Sequence, residues 1–353
     1  MHKPRPTRCQ LTNMTSVLES LNRGLHQAFS QDARVYLIGE DLLDPYGGAF
    51  KVSKGLSTKY PDRVWTSPVS EAALAGLGAG MALRGLKPVV EIMFGDFSAL
   101  IADQLINSIS KFRSMYNGQV EVPLVIRTPM GGRRGYGPTH SQTLEKLYLG
   151  VPGLRTLAAN TLADPGELLC KAILEDSSPV LFIENKLLYL KPVLDYQALQ
   201  DFEIEISIPA ESYAPTHTLR IKGAPSPALT LAAYGYMAEL AREALLRLAF
   251  EYERFCELVV PSQLSPFAPN GLMDPAMENS LKRTGRLLSI EEGTYTLGWG
   301  AEVLARTAQA FPGQLKAARR LAAADRPIPA SAPLEEAALP SAQDIVETAR
   351  SMV

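Results

Sequence analysis

The stretch PVSEAALAGLGAGMALRG (68–85) decides how the chain is read. It is almost entirely Ala, Gly and Leu, yet an acid, Glu71, stands near its start. Its glycines, GLGAG (76–80), tempt a dinucleotide-loop assignment. That loop needs its glycines in the turn between a strand and a helix. Here they follow Glu71 inside a helical run, with no clean strand directly before them. A Gly inside a helix costs about 1 kcal/mol relative to Ala. Packing explains them better, since small residues let a helix lie close against another backbone. The stretch reads as a buried helix with one carboxylate at its head.

Outward from this helix the chain alternates. VYLIG (35–39), KPVVEIM (87–93), VPLVIRTP (122–129), LRTLAA (154–159) and PVLFIEN (179–185) read as strands. TSVLESLNRGLHQAF (15–29) places Leu18, Leu21, Leu25 and Phe29 at helical spacing, and Ser16 with Glu19 fits a capping box. FSALIADQLINSISKF (97–112) reads as a helix with Leu105, Ile109 and Phe112 on one stripe. Strands separated by helices imply a parallel sheet covered on both faces. Residues 191–226 are rich in Pro and polar residues and lack helical periodicity, so they read as a connection that includes some strand. A second α/β unit follows, with strands at 228–235, 256–260 and 286–293. The expected fold is α/β, with two domains, each a mostly parallel sheet flanked by helices. The expected division is a disordered tail at 1–14, a first domain at 15–192, a linker at 193–226 and a second domain at 227–353.

The 353 residues suit two domains at about 150 residues each. The net charge of -2 gives no polybasic footprint for nucleic acid or an anionic membrane. No apolar run approaches the roughly 18 residues of a membrane span. Cys9, Cys170 and Cys256 are far apart and read as free thiols in a reducing compartment. The start, MHKPRPTRCQLTN, is basic but short and lacks the apolar core of a secretory signal. A cytoplasmic, bacterial location is expected ahead of a mitochondrial matrix. The GxxxxGK[ST], GxSxG and HExxH motifs do not occur.

An ordered set of motifs carries a resemblance. LIGEDL (37–42), YGGAFKVSKGL (46–56), the stretch 68–97, DQLINSISKFR (103–113) and GPTHSQTLEKLYLGVPGL (137–154) follow one another. SSPVLFIENKLLY (177–189), GRLLSIEEG (285–293) and DRPIPASAPLEE (325–336) continue it. Together they resemble the β subunit of the thiamine-diphosphate-dependent 2-oxoacid dehydrogenase decarboxylating component, of the pyruvate or branched-chain type. The resemblance implies a transketolase-like pyrimidine-binding domain followed by a transketolase C-terminal domain. It implies oxidative decarboxylation of a small 2-oxo acid, with acyl transfer to a lipoyl carrier.

Residue by residue, the resemblance makes Glu71 the acid that bonds the cofactor's pyrimidine ring and favours its reactive imino tautomer. The apolar neighbours Val69, Ala72, Ala73 and Leu74 would strip water from it. Burial raises a carboxyl pKa, and the helix N-terminus opposes that. Phe97, at the end of FGDF, would stack on the pyrimidine, with Met93 and Val69 lining the pocket; all three also fit a plain core. Glu40 would stand near a subunit interface on an acidic path between two sites, or simply end a strand. His140, in a Gly/Pro loop after a strand, would face the substrate. Arg133 or Arg134 would hold a substrate carboxylate, or else be solvated. MGGRRGYGP (130–138) departs from the pyruvate members, and VVPSQLSPF (259–267) replaces the family's aspartate-leucine-arginine run.

The superfamily's diphosphate grip, Gly-Asp-Gly with Asn-Asn further on, does not occur here. The resemblance therefore assigns that half-site, with its Mg2+, to an α subunit in an α2β2 heterotetramer with a second β chain. It also implies docking to a lipoyl-carrying acyltransferase core. Some members hold a structural potassium ion through main-chain carbonyls near VPL (122–124) and EDSSP (175–179). Two rivals stand beside this expectation: a split transketolase-like or acyloin-forming non-oxidative subunit, and a non-catalytic assembly subunit.

Overall fold

The computed structural model describes residues 15–195, 197–267 and 273–353. The tail expected over 1–14 lies outside the described residues.

Helix α1 (Val17–Gln31) begins with the expected capping box, Ser16 and Glu19 satisfying each other's backbone N–H groups. Strand β1 (Val35–Gly39) follows, then a short α2 (Leu56–Lys59) and β2 (Val64–Thr66). Helix α3 (Glu71–Leu83) opens on Glu71 itself and leads to β3 (Lys87–Glu91). The segment expected as one helix over 97–112 is less regular. It runs as a 3-10 stretch (Gly95–Ile101), a π-helical turn (Gln104–Ser108) and a 3-10 turn (Ile109–Lys111) before α4 (Phe112–Met115). The π-turn rotates the stripe slightly, leaving Leu105 and Ile109 buried and Phe112 half-buried. Strands β4 (Val125–Met130), β5 (Arg155–Ala158) and β6 (Val180–Asn185) complete this half, with α5 (Pro165–Glu175) between β5 and β6.

The second half holds β7 (Phe202–Ser207), β8 (Thr216–Ile221), β9 (Thr230–Ala233), α6 (Tyr236–Tyr252), β10 (Glu257–Pro261) and β11 (Gln263–Ser265). After these come α7 (Pro275–Thr284), β12 (Arg286–Thr294), α8 (Trp299–Ala310), β13 (Ala317–Ala323), α9 (Ala332–Glu336) and α10 (Ala342–Arg350). The segment 193–226, expected as a connection with some strand, supplies β7 and β8, which pair antiparallel with each other, β8 also pairing antiparallel with β10. Its polar look has a cause: β7 lies at the sheet edge, with alternate residues facing water.

Among the described residues two sheets result, ordered β11-β5-β6-β4-β3-β1-β2 and β13-β12-β9-β10-β8-β7. All strands of the first sheet are parallel except β11, which comes from the second half and pairs antiparallel with β5. Helices α1 and α5 cover one face. They cross at Gly24 and Gly166, where an added methyl group on either would collide with opposing main chain. Helix α3 and the irregular segment cover the other face. That apolar layer continues without a break into the second half through Tyr234, Val259, Leu264, Met277 and Trp299. Gly78 packs where a side chain would strike Val90, which explains one glycine of the opening stretch. Gly76 and Gly80 face open space, beside exposed Ala73 and Leu77. No helix among the described residues is long and apolar enough to cross a membrane.

Candidate active site

Parallel sheets place ligands beyond the carboxyl ends of their strands. Glu40 follows β1, Met93 follows β3, the 131–142 loop follows β4 and Lys186 follows β6, so all of them gather at that end.

Glu71 is the first residue of α3 and is 5% exposed. No described residue hydrogen-bonds its carboxylate. Glu40, also buried, sits beside it and accepts the Ser70 backbone N–H at 3.1 Å. Burial pushes the Glu40 carboxyl up; the Ser70 bond opposes, and the Glu71 and Asp41 charges add to the rise. The cover over Glu71 differs from expectation. Val69 is 78% exposed and Ala73 is exposed, so within this chain neither keeps water away. Both lie on the outward side of the helix head.

An aromatic cluster gathers beyond the ends of β3 and β4. Phe94 lies at the centre, its ring 5.8 Å from Phe97, 4.8 Å from His140, 6.0 Å from Tyr136 and 5.5 Å from Phe50. Phe97 meets the His140 ring at 5.2 Å, and both are half-buried, as is Met93. His140 Nδ1 is 3.0 Å from the Thr139 hydroxyl. Sequence reasoning chose Phe97 and passed over Phe94, Tyr136 and Phe50. FGDF holds two phenylalanines, and only tertiary structure shows that the first anchors the cluster.

Beneath this cluster is a buried ion network. Arg127 bonds Glu184 through two nitrogens (2.8 and 2.6 Å) and also pairs with Glu91. Burial works against the Arg127 charge, and the two carboxylates outweigh it. Tyr189 donates to Glu184 at 2.6 Å and packs on Phe50, joining the network to the aromatic wall. Such a network is costly to break and holds its elements in one arrangement.

The paired arginines part company. Arg133 turns into the second half: its N–H donates to Glu335 Oε1 at 2.7 Å, its guanidinium bonds the Pro340 carbonyl, and Nη1 stands 3.6 Å from Glu292. Arg134 is exposed, over the rings of Phe50 (5.9 Å) and Tyr136 (5.6 Å), and pairs with no carboxylate among the described residues. The halves also meet at Glu145, which is fully buried and accepts from Tyr234. Burial pushes its carboxyl up to about 7, with Glu291 and Glu292 adding to the rise. No cluster of His, Cys, Asp or Glu among the described residues is arranged to hold a metal.

The first half offers an unpartnered buried carboxylate at the head of α3 and, beyond the ends of β3 and β4, an aromatic cluster with an imidazole against it. It suits a flat heteroaromatic ring carrying a nitrogen that can share a proton.

Comparison with known proteins agrees. Residues 14–191 match the family described as transketolase, pyrimidine binding domain, and 219–345 match transketolase, C-terminal domain. The chain is 36% identical over 339 residues to pyruvate dehydrogenase E1 component subunit beta-1 of Arabidopsis thaliana, covering 95% of this chain and 88% of that one. It is 33% identical to the acetoin:2,6-dichlorophenolindophenol oxidoreductase subunit beta of Cupriavidus necator, covering 95% and 96%. A solved structure titled split gene transketolase, inactive beta4 tetramer, superposes with a TM-score of 0.71 at 19% identity, over 96% of this chain and 98% of that one, and shows the fold. The chain therefore belongs to the transketolase-like family of 2-oxoacid dehydrogenase E1 component β subunits.

Proposed function

We propose that the chain supplies the pyrimidine half of a thiamine-diphosphate site in a 2-oxoacid dehydrogenase. The observation that carries this is Glu71: a carboxylate kept nearly dry, without a protein partner among the described residues, at the head of a helix. An unpaired buried carboxylate is costly, and a ring nitrogen that shares a proton with it offsets that cost. When bound, the cofactor supplies the carbon nucleophile and the electron sink for decarboxylation. The chain's own residues orient and protonate. Glu71 bonds the ring nitrogen, and Glu40 fixes the head of α3 through Ser70. Phe97 and Met93 bound the ring's place, while Val69 closes it from the side a partner covers. His140 faces the 2-oxo acid and holds or moves a proton there.

The diphosphate and its Mg2+ fall to an α subunit, because this sequence lacks the Gly-Asp-Gly grip. The exposed stripe of Ala73, Gly76, Leu77 and Gly80 on α3 suits close packing against that subunit. A second β chain, an acyltransferase core carrying the lipoyl group, and a potassium ion held by carbonyls near 122–124 and 175–179 complete the assembly. Buried, unpaired Cys170 and Cys256 suit a reducing compartment. The non-oxidative rival has less support, since the split transketolase is 19% identical against 36% for the pyruvate dehydrogenase subunit.

The test is reconstitution with a purified α subunit, followed by assay of acyl-lipoyl product from a panel of 2-oxo acids. Acyl-lipoyl product that vanishes in Glu71→Ala is the expected result. Turnover of the 2-oxo acid without acyl-lipoyl product favours the non-oxidative rival, and an assembled Glu71→Ala enzyme at wild-type rate would leave only the assembly role.

A further inference from the structure

Lys186 is fully buried at the end of β6, yet no carboxylate lies within ion-pair distance of it among the described residues. Its ammonium donates to the main-chain carbonyl of His140. It stands over the ring of Phe94 at 5.2 Å and over Tyr136 at 5.6 Å. The charged groups around it are Asp96, Glu292 and Glu335, with Arg134 as the like charge. Removing a charge from water without a close partner is costly. A neutral side chain of similar length would avoid that cost.

We infer that Lys186 is a positioning residue, whose ammonium fixes the 131–142 loop from below so that His140 is presented at the rim of the aromatic wall. This rests on the role proposed for His140. Three observations support it. The hydrogen bond is to the backbone of His140 itself, so it sets the origin of the imidazole and not merely its rotamer. A second strut acts two residues on, where Asp96 Oδ1 accepts the Gln142 N–H at 3.2 Å and its Nε2 at 2.8 Å. The same ammonium lies over Phe94, whose ring contacts His140, so one cation holds both the loop and the surface it rests on. Between these struts the His140 side chain bonds only its neighbour Thr139 among the described residues. The loop is rich in glycine, with Gly131, Gly135 and Gly137 all at positive φ, and has little stiffness of its own.

Burial pushes the Lys186 ammonium down to about 8, with Asp96, Glu292 and Glu335 opposing and Arg134 assisting. The cation's hold on the Phe94 and Tyr136 rings therefore weakens as the pH passes that value.

The test compares Lys186→Met and Lys186→Arg in the full chain. Hydrogen–deuterium exchange of the isolated chain needs neither cofactor nor substrate. Faster exchange over 136–142 in the Met variant, with the rest of the first half unchanged, is expected. In the reconstituted enzyme, kcat should fall about tenfold or more in the Met variant while KM stays within about twofold. The wild-type kcat should decline above pH 8, and the Arg variant should carry its plateau further into alkali. Unchanged loop exchange in the Met variant, or wild-type kcat in it, overturns the inference. If the Met variant does not fold, the Arg variant decides: an alkaline limb left at the wild-type pH overturns it. Altered exchange without turnover of any 2-oxo acid would instead count against the proposed function and leave the positioning of the loop intact.

Discussion

Glu40 and Glu71 are buried neighbours, and the first holds the backbone N–H of the residue that precedes the second. Two carboxylates in one dry place repel, which adds to the burial that raises the Glu40 carboxyl above its ordinary value. Replacing Glu71 by Gln should keep the fold and lower kcat of the reconstituted enzyme by about 100-fold or more. Glu40→Gln should cost less activity and raise the melting temperature of the isolated chain, since it removes the like charge but keeps a group able to accept the Ser70 N–H. Calorimetry and single-turnover assays separate the two. A Glu40→Gln chain that melts lower would contradict the repulsion.

Glu145 makes stability depend on pH. Its carboxyl moves from an ordinary value near 4.5 to about 7 on folding, so the folded chain binds more protons in that window. Stability from this group is therefore fully present below about pH 4.5 and is lost as the pH rises through 7, by on the order of 3 kcal/mol. Glu145→Gln should flatten this slope. Denaturant melts at pH 5 and pH 8 measure it, and a wild-type slope that survives in the variant refutes the assignment.

The paired arginines should respond differently. Arg133→Ala breaks the clasp to Pro340 and Glu292, and should destabilise the chain by about 1–3 kcal/mol. Arg134→Gln should leave the melting temperature within about 2 °C, because exposed groups contribute little. If Arg134 meets a substrate carboxylate, KM rises several-fold in that variant with kcat nearly unchanged; an unaltered KM removes it from the site.

Lys186→Met should stabilise the chain. The folded ammonium titrates near 8 against an ordinary 10.5, so its cost is complete below pH 8 and is relieved as the pH climbs toward 10.5. The melting-temperature gap between variant and wild type should be widest at pH 7 and close by pH 10.

Gly166→Ala should be among the most damaging single changes outside the site. The α1–α5 crossing leaves no room for a methyl group against the Ser20 backbone, and overpacking costs about 1–3 kcal/mol or more. Thermal melts of the purified chain decide this.

Much of the architecture was legible because local signals agreed with it. The Ser16–Glu19 box, the apolar strand runs and the small-residue helix after Glu71 each carry their reason in a few adjacent residues. Some strand was expected within 191–226, but that it forms β7 and β8 of the second sheet was not legible, because β7, an edge strand facing water, has the composition of a connector. The broken helix over 97–112 also escaped, since a π-turn leaves apolar spacing almost unchanged. Motif order picked out Glu71, Phe97 and His140 as candidates. Lys186 and Phe94 were not, because what sets them apart is depth and the ring each one touches.

The pairing of β11 with β5 reaches further than a detail of topology. A strand drawn from late in the chain seals the margin of a sheet assembled early, so the nascent first half emerges with a raw border that stays open until β11 has been made. Cutting the gene between the halves would leave that border free to recruit other molecules, and the two lobes are best regarded as a single inheritance unit.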